Sequence, residues 1–240
     1  MVKSNDQHPA DLKIPDMSEI NRYDRQLTQE QINAGRHRDM VGGMWEEIGR
    51  LQFEFLRTRG LKPGHRLLDI GCGSLRGGIH AIDYLKRGNY YGLDINLSLI
   101  EAARHELHLA GLTHKNPHLA ISDRFELGLF RQKFEYLLAH SVFTHVFANH
   151  IIRCLAEVRE VLAPKGQFFA TFFLAPQSVH LAPIVHQPGG VQTQYDRNPF
   201  HYSADEIRAM AELADLSAEI IGEWNHPRGQ QMVVFTKDRA

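Results

Sequence analysis

Apolar positions along the chain fall into two alternating rhythms. Val41, Met44, Trp45, Ile48, Leu51 and Phe55 recur every three to four residues, which predicts a helix over about 38–59, with Gly60 suited to the position just past its end. Gly42 and Gly43 are costly inside a helix, so either the helix starts after them or something packs close there. From His65 short apolar runs alternate with helical stripes. Strands are predicted at about 66–70, 90–94, 118–122, 134–140 and 167–174. A helix is expected over 77–87, and a second is striped by Leu99, Ile100, Ala103 and Leu107 up to Gly111. A third is striped by Ile151, Leu155, Val158 and Leu162 and stops at Pro164. Ser203 and Glu206 stand in capping-box spacing before a helix over 204–214. Two late strands, about 218–223 and 231–236, are joined by a short turn at 226–229. Alternation of this kind implies an α/β fold with a parallel sheet covered on both faces. The last strand pair, joined too tightly for a crossover helix, should be antiparallel.

Two stretches stand outside this rhythm. Residues 1–35 read as an N-terminal arm, with Ile20 and Tyr23 as docking candidates, ahead of a domain over 36–240. The segment 175–202 is longer than the ~12–15 residues of ordinary loops. It holds His180, His186, Tyr195, Asp196, His201 and Tyr202, and is expected to be a lid or substrate wall. Composition narrows the setting: a formal net charge of -1 and no basic run give no support for a nucleic-acid partner. Two distant cysteines, Cys72 and Cys154, suggest a reducing, cytoplasmic setting. The polar N-terminus argues against a secretory signal, and no apolar stretch reaches the ~18 residues of a membrane span.

The strand Leu67-Leu68-Asp69-Ile70 runs into the turn Gly71-Cys72-Gly73, where glycines permit a tight bend and close approach of a ligand to the backbone. In open α/β sheets ligands bind beyond the carboxyl ends of the strands. Asp94 ends the second strand ~20 residues on, where an acid can accept both hydroxyls of a ribose; that feature fits NAD and S-adenosylmethionine alike. The dinucleotide fingerprint GxGxxG is broken, because Arg76 stands at the third glycine position.

At these residues the chain resembles class I S-adenosylmethionine-dependent methyltransferases. Asp69-Ile70-Gly71-Cys72-Gly73 looks like their first motif, Asp94 like the ribose-binding acid, Ser122-Asp123-Arg124 like the adenine-binding segment, and His140-Ser141-Val142-Phe143-Thr144-His145 like the segment lining the methionine part. The resemblance covers about 65–236 and implies a Rossmann-like, seven-stranded, mostly parallel sheet with a final antiparallel strand. It implies S-adenosyl-L-methionine as cofactor. The backbone of Gly71, Cys72 and Gly73 would face its methionine carboxylate and ribose. Asp69 would orient the loop, Ile95 pack on adenine, Asp123 with neighbouring Arg124 meet the adenine amine, and Ser141 approach the methionine amino group.

Methyl transfer from a sulfonium is largely a matter of alignment. A hydroxyl acceptor also profits from a base near neutral pH, whereas a carboxylate needs a cationic clamp. Candidate bases are His145 and His201, with His150 and His226 behind them. Trp45, Tyr202, His226 and Arg228 are candidate substrate contacts. No metal is expected, since Leu138-Ala139-His140-Ser141 stands where the catechol-type enzymes of this class carry acids, and His180 and His186 lack zinc spacing. The same segment lacks the Asn-Pro-Pro-aromatic signature of enzymes that methylate base amines. The reading is a metal-independent methyltransferase acting on a small molecule, with a hydroxyl oxygen preferred over a carboxylate or nitrogen. A dinucleotide oxidoreductase and a non-catalytic binding module are the rivals.

Overall fold

A computed structural model describes residues 25–237; most of the predicted arm, with Ile20 and Tyr23, lies outside the described residues. Among the described residues three helices precede the sheet: α1 (Gln29–Asn33), α2 (Arg36–Met40) and α3 (Trp45–Thr58). The single helix expected over 38–59 is therefore two. Gly42, Gly43 and Met44 are consecutively left-handed, with φ of 95°, 63° and 48°, and a right-handed helix cannot run through them. α1 is set by a complete capping box between Thr28 and Gln31.

The sheet strands follow as β1 (Leu67–Ile70), β2 (Tyr90–Asp94), β3 (His118–Ile121), β4 (Phe134–Ala139) and β5 (Leu162–Ala175). Between them lie α4 (Gly78–Tyr84), α5 (Leu97–Leu109) and α6 (Ala148–Val161). Beyond β5 come β6 (Ile184–His186), β7 (Val191–Thr193), β8 (His201–Ser203), α7 (Ala204–Glu212), β9 (Ser217–Gly222) and β10 (Gln231–Thr236). The order across the sheet is β3-β2-β1-β4-β5-β10-β9. β1 to β5 pair in parallel, and β10 runs antiparallel to both β5 and β9. This is the Rossmann-like architecture with an antiparallel last strand. An eighth strand extends it, since β8 pairs in parallel with the end of β5.

Alternate residues of each strand feed two cores, one on either face of the sheet. Leu68, Ile70, Leu137, Phe168, Phe172 and Phe235 pack beneath α6 and α7. Leu67, Leu138, Phe169, Met232 and Val234 pack with Leu56 of α3, Ile82 of α4 and Ile100 of α5. Among the described residues no helix is long and apolar enough to cross a membrane.

The segment 175–202 is more ordered than a bare loop. β6 and β7 form an antiparallel ribbon. A Cβ on Gly189 would stand 2.7 Å from Pro227 O, and one on Gly229 only 2.2 Å from Gln187 O, so the ribbon's turn is seated backbone to backbone on residues 226–229. β5 also begins at Leu162, immediately after α6, rather than at 167.

Candidate active site

The carboxyl ends of β1, β2 and β4 open into a cavity of about 970 Å³. Its floor is the β1 turn. Gly71 and Gly73 adopt φ of 71° and 53°, and a Cβ on either would lie 2.4 Å from Val142 Cγ2 or 2.8 Å from Val41 Cγ1. Glycine is required there by both conformation and space. Asp94 closes the loop onto β2: its Oδ2 accepts from Gly73 N at 2.8 Å and its Oδ1 from Asn96 N at 2.9 Å. Burial pushes the Asp94 carboxyl above its ordinary range, against the pull of those N–H groups. Asp69 is buried beneath the loop and accepts from Tyr90 OH at 2.7 Å; desolvation raises it to about 7. Cys72 is buried and its thiol pushed well up by burial, which suits a small residue filling the turn and not a nucleophile.

All the cofactor residues expected from the sequence line this one cavity: Asp69, Gly71, Cys72, Gly73, Asp94 and Ile95 on one side, Asp123, Arg124 and Ser141 on the other. Ile95 is 42% exposed, a flat apolar surface beside Asp94. Ser141 takes φ of 57°; its N–H donates to Thr171 Oγ1 at 2.8 Å and its hydroxyl to Gln230 Oε1 at 3.0 Å. That network fixes the turn after β4.

The substrate and base candidates separate. His145 and His150 line the cavity. His145 Nδ1 lies 2.6 Å from Asn198 Oδ1, an atom that only accepts, so the ring proton sits on Nδ1 and the lone pair on Nε2. His201 does not reach the cavity. It is fully buried, with Nδ1 2.7 Å from Thr193 Oγ1 and Nε2 2.6 Å from His180 O. Both ring nitrogens are committed to holding 175–202 together, which corrects the expectation of a base there. Tyr202 is likewise buried, donating to Val146 O at 2.8 Å, outside the cavity lining. Trp45 packs edge-on against His37 and beneath Arg38, away from the cavity. No residue of 175–202 lines the cavity; the segment backs its wall through Asn198.

His226 and Arg228 stand one layer behind. His226 Nε2 is 3.1 Å from His140 Nε2, and His140 lines the cavity. Arg228 donates to Gly42 O. Arg76 donates to Val41 O at 2.8 Å and Gly43 O at 2.9 Å. Two guanidiniums thus clamp the left-handed turn at 41–44 across the glycine loop. From the sequence Arg76 registered only as a missing glycine, and His140 only as part of a segment; a cation directly after a glycine turn was the available signal.

Residues 68–168 match the family model described as a methyltransferase domain. The matched stretch, less than half of the chain, is similar to methyltransferase domains and holds the glycine turn, Asp94 and Ser141. The chain is 34% identical over 127 residues to a ribosomal protein L11 methyltransferase of Caldanaerobacter subterraneus subsp. tengcongensis, covering 52% of this chain and 37% of that protein. It is 26% identical over 151 residues to a 2-phytyl-1,4-naphtoquinone methyltransferase of Trichormus variabilis, covering 61% of this chain and 58% of that protein. The chain thus matches less than two thirds of the length of either relative. Its fold resembles that of magnesium protoporphyrin IX methyltransferase from Synechocystis PCC 6803 solved with bound SAH, at a TM-score of 0.60 and 15% identity, covering 86% of this chain and 94% of that one.

Proposed function

We propose that the chain binds S-adenosylmethionine in this cavity and transfers its methyl group to a small molecule, with a hydroxyl oxygen as acceptor. The observation that carries the reading is the coincidence, in one cavity of about 970 Å³, of a glycine cradle that a Cβ would block, the carboxylate of Asp94 and a histidine at the open wall. Asp94 retains acceptor capacity beyond its two backbone bonds, enough for ribose hydroxyls, because a carboxylate offers about four lone-pair sites. Asp123 at the rim suits an adenine amine, and Ile95 an adenine face. When bound, the cofactor supplies a methyl group already activated by its sulfonium. The protein's part is to align the acceptor, exclude water and take up a proton. His145 Nε2 suits the last task, because Asn198 orients the ring and holds its tautomer. The relatives' names, one a protein substrate and one a quinone, support methyl transfer and leave the acceptor class to this chain's own site.

The test is a transfer assay with methyl-labelled S-adenosylmethionine against phenols, hydroxy acids, sugars and fatty acids. Label in a phenol or alcohol ether is the expected product. Label only in esters or amines would replace the hydroxyl reading. No transfer, with S-adenosylhomocysteine still bound, would favour a binding module.

A further inference from the structure

We infer that the face at the amino ends of the sheet strands, opposite the cavity, docks on an anionic lipid surface. No basic run occurs along the chain, but the fold gathers scattered cations at that end. Six adjacent strands, β3, β2, β1, β4, β5 and β10, each bring one there: Lys115, Arg87, Arg66, Lys133, Lys165 and Lys237. Lys237 joins the row because β10 runs antiparallel to β5, so the residue just past its last position lies at this end. At ~4.8 Å between neighbouring strands the row is about 24 Å long. Three of its members cap carbonyls at the carboxyl ends of α4 and α6. Lys115 Nζ donates to Leu85 O at 2.9 Å and to Asp83 O, Lys133 Nζ to Glu160 O, and Lys237 Nζ to Leu162 O at 2.7 Å. A carbonyl dipole suits an ammonium there without cancelling its charge. Arg66 is answered by Glu135 at 3.2 Å. Arg87 and Lys165 are exposed, and among the described residues neither has a side-chain hydrogen bond or ion pair.

The positive charge stands largely uncancelled. The acids beside the row, Asp83, Glu135, Glu160 and Asp215, are matched by further cations outside it, Lys62, Lys86, Arg131 and Arg159. Burial, then the like charges of Lys133 and Arg159, hold Lys237 below the ordinary lysine range, and Glu160 offsets only part of that. Aliphatic side chains accompany the cations. Leu109, the last residue of α5, is 61% exposed, and Leu129, on the return to β4, is 56% exposed. In the same corner a second cavity, of about 630 Å³, is lined by Leu107, Pro117, Leu119 and Phe130 together with Arg104. Cations with exposed leucines and an apolar hollow match an anionic bilayer, which offers both headgroup charge and hydrocarbon. An RNA would use the cations and leave the leucines unused. Among the described residues no phenylalanine, tyrosine or tryptophan stands exposed at this end for a base to stack on. Docking by this face turns the carboxyl ends of the strands, and the cavity, away from the bilayer.

Co-sedimentation of the full chain with vesicles tests the proposal, using phosphatidylcholine alone and phosphatidylcholine with about one-third phosphatidylserine. The chain should sediment with the anionic vesicles and stay in solution with the neutral ones. Arg87→Gln with Lys165→Gln removes two exposed cations that hold no structural bond. It should weaken binding roughly twentyfold or more, at about fivefold per cation near such a surface. Leu109→Ser with Leu129→Ser should weaken it roughly tenfold or more by removing the apolar contact. Leu181→Ser, an exposed leucine in 175–202, should leave it unchanged. A melting temperature close to that of the wild type shows that each variant is folded. No binding to either vesicle, or equal binding to both, overturns the proposal. So does a cation pair without effect, or an effect of Leu181→Ser as large as that of the leucine pair, which would move the docking to the 175–202 segment. Binding that needs the cations and ignores the leucines, with poly-uridylate bound in the same way, would make this face a nucleic-acid site and overturn the lipid as its occupant.

Discussion

Asp94 both shapes the glycine loop and faces the cavity. Its oxygens accept from Gly73 N and Asn96 N, one bond to each oxygen. Asp94→Ala should therefore weaken S-adenosylhomocysteine by ~2–3 kcal/mol, the scale of hydrogen bonds to a charged group. Calorimetry on the folded variant checks it, and an unchanged affinity would remove the ribose role. His145→Ala should lower kcat by ~10²–10⁴, the range of general-base catalysis, with S-adenosylhomocysteine affinity nearly constant. A hydroxyl-methylating enzyme indifferent to that change would need another base. His226 carries a pH prediction. Its folded value near 4 lies below the ordinary 6.5, so the unfolded chain binds its proton first on acidification. The stability it contributes is full above about 6.5 and is lost as pH falls towards 4. Asp69, raised to about 7, runs the opposite way between about 4 and 7, but equally in wild type and in a His226 variant. Urea midpoints at pH 7 and 5 should show His226→Phe losing less stability than wild type, by on the order of 1–2 kcal/mol. A parallel pair of curves would mean that the fold leaves the titration of His226 where the unfolded chain has it. At this scale the cavity floor was readable in advance, because Asp69, Gly71, Gly73 and Asp94 are placed by their own strand ends. The histidines were not, because a ring's role depends on partners far along the chain, such as Asn198 for His145 and Thr193 for His201.

The elements that read well from the sequence are those whose apolar period runs for several turns, α5 and α6 among them. Those that read poorly are short or depend on distant partners. β6 and β7 are three residues each, too brief for alternation to show, and exist because they pair with each other. β8 is fixed by the end of β5. The glycines at 42 and 43 signalled a disturbance, but its cause, the clamp by Arg76 and Arg228, lies outside the helix itself. His201 belongs to this scale. It ties Thr193 of β7 to His180 O across the insertion. His201→Ala should remove the bond to His180 O and one of the bonds of Thr193 Oγ1, which keeps His186 Nε2, and cost ~2 kcal/mol, within the 1–3 kcal/mol typical of a disrupted buried polar contact. For a chain of this size that is a fall in Tm of roughly 4–8 °C. Its S-adenosylhomocysteine affinity should hold within about twofold. A large loss of kcat at unchanged Tm would return His201 to the chemistry despite its burial.

At the scale of the whole molecule, the parallel order β2-β1-β4 brings three strand ends to one edge, so residues separated by dozens of positions meet around one cavity. The alternation of strands and helices made that much legible, and the broken fingerprint at Arg76 separated the two nucleotide cofactors. A ligand seated there touches β1, β2, β4 and the 41–44 clamp at once, so its binding energy should appear as global stability. At a hundredfold excess over its dissociation constant, a ligand selective for the folded state adds ~2.7 kcal/mol. In a chain of this length that corresponds to a rise in Tm of roughly 5–10 °C. S-adenosylhomocysteine should produce it in a thermal melt and NAD should not. EDTA should change neither that rise nor the rate of methyl transfer, because Asp69 is tied to Tyr90 and Asp94 to backbone N–H groups, and among the described residues no three histidine, cysteine or acidic groups converge as ligands. Stabilisation by NAD alone would mean that Arg76 has been misread and that the cavity holds a dinucleotide. Activity lost to EDTA and restored by magnesium would place a cation among groups that this structure engages otherwise.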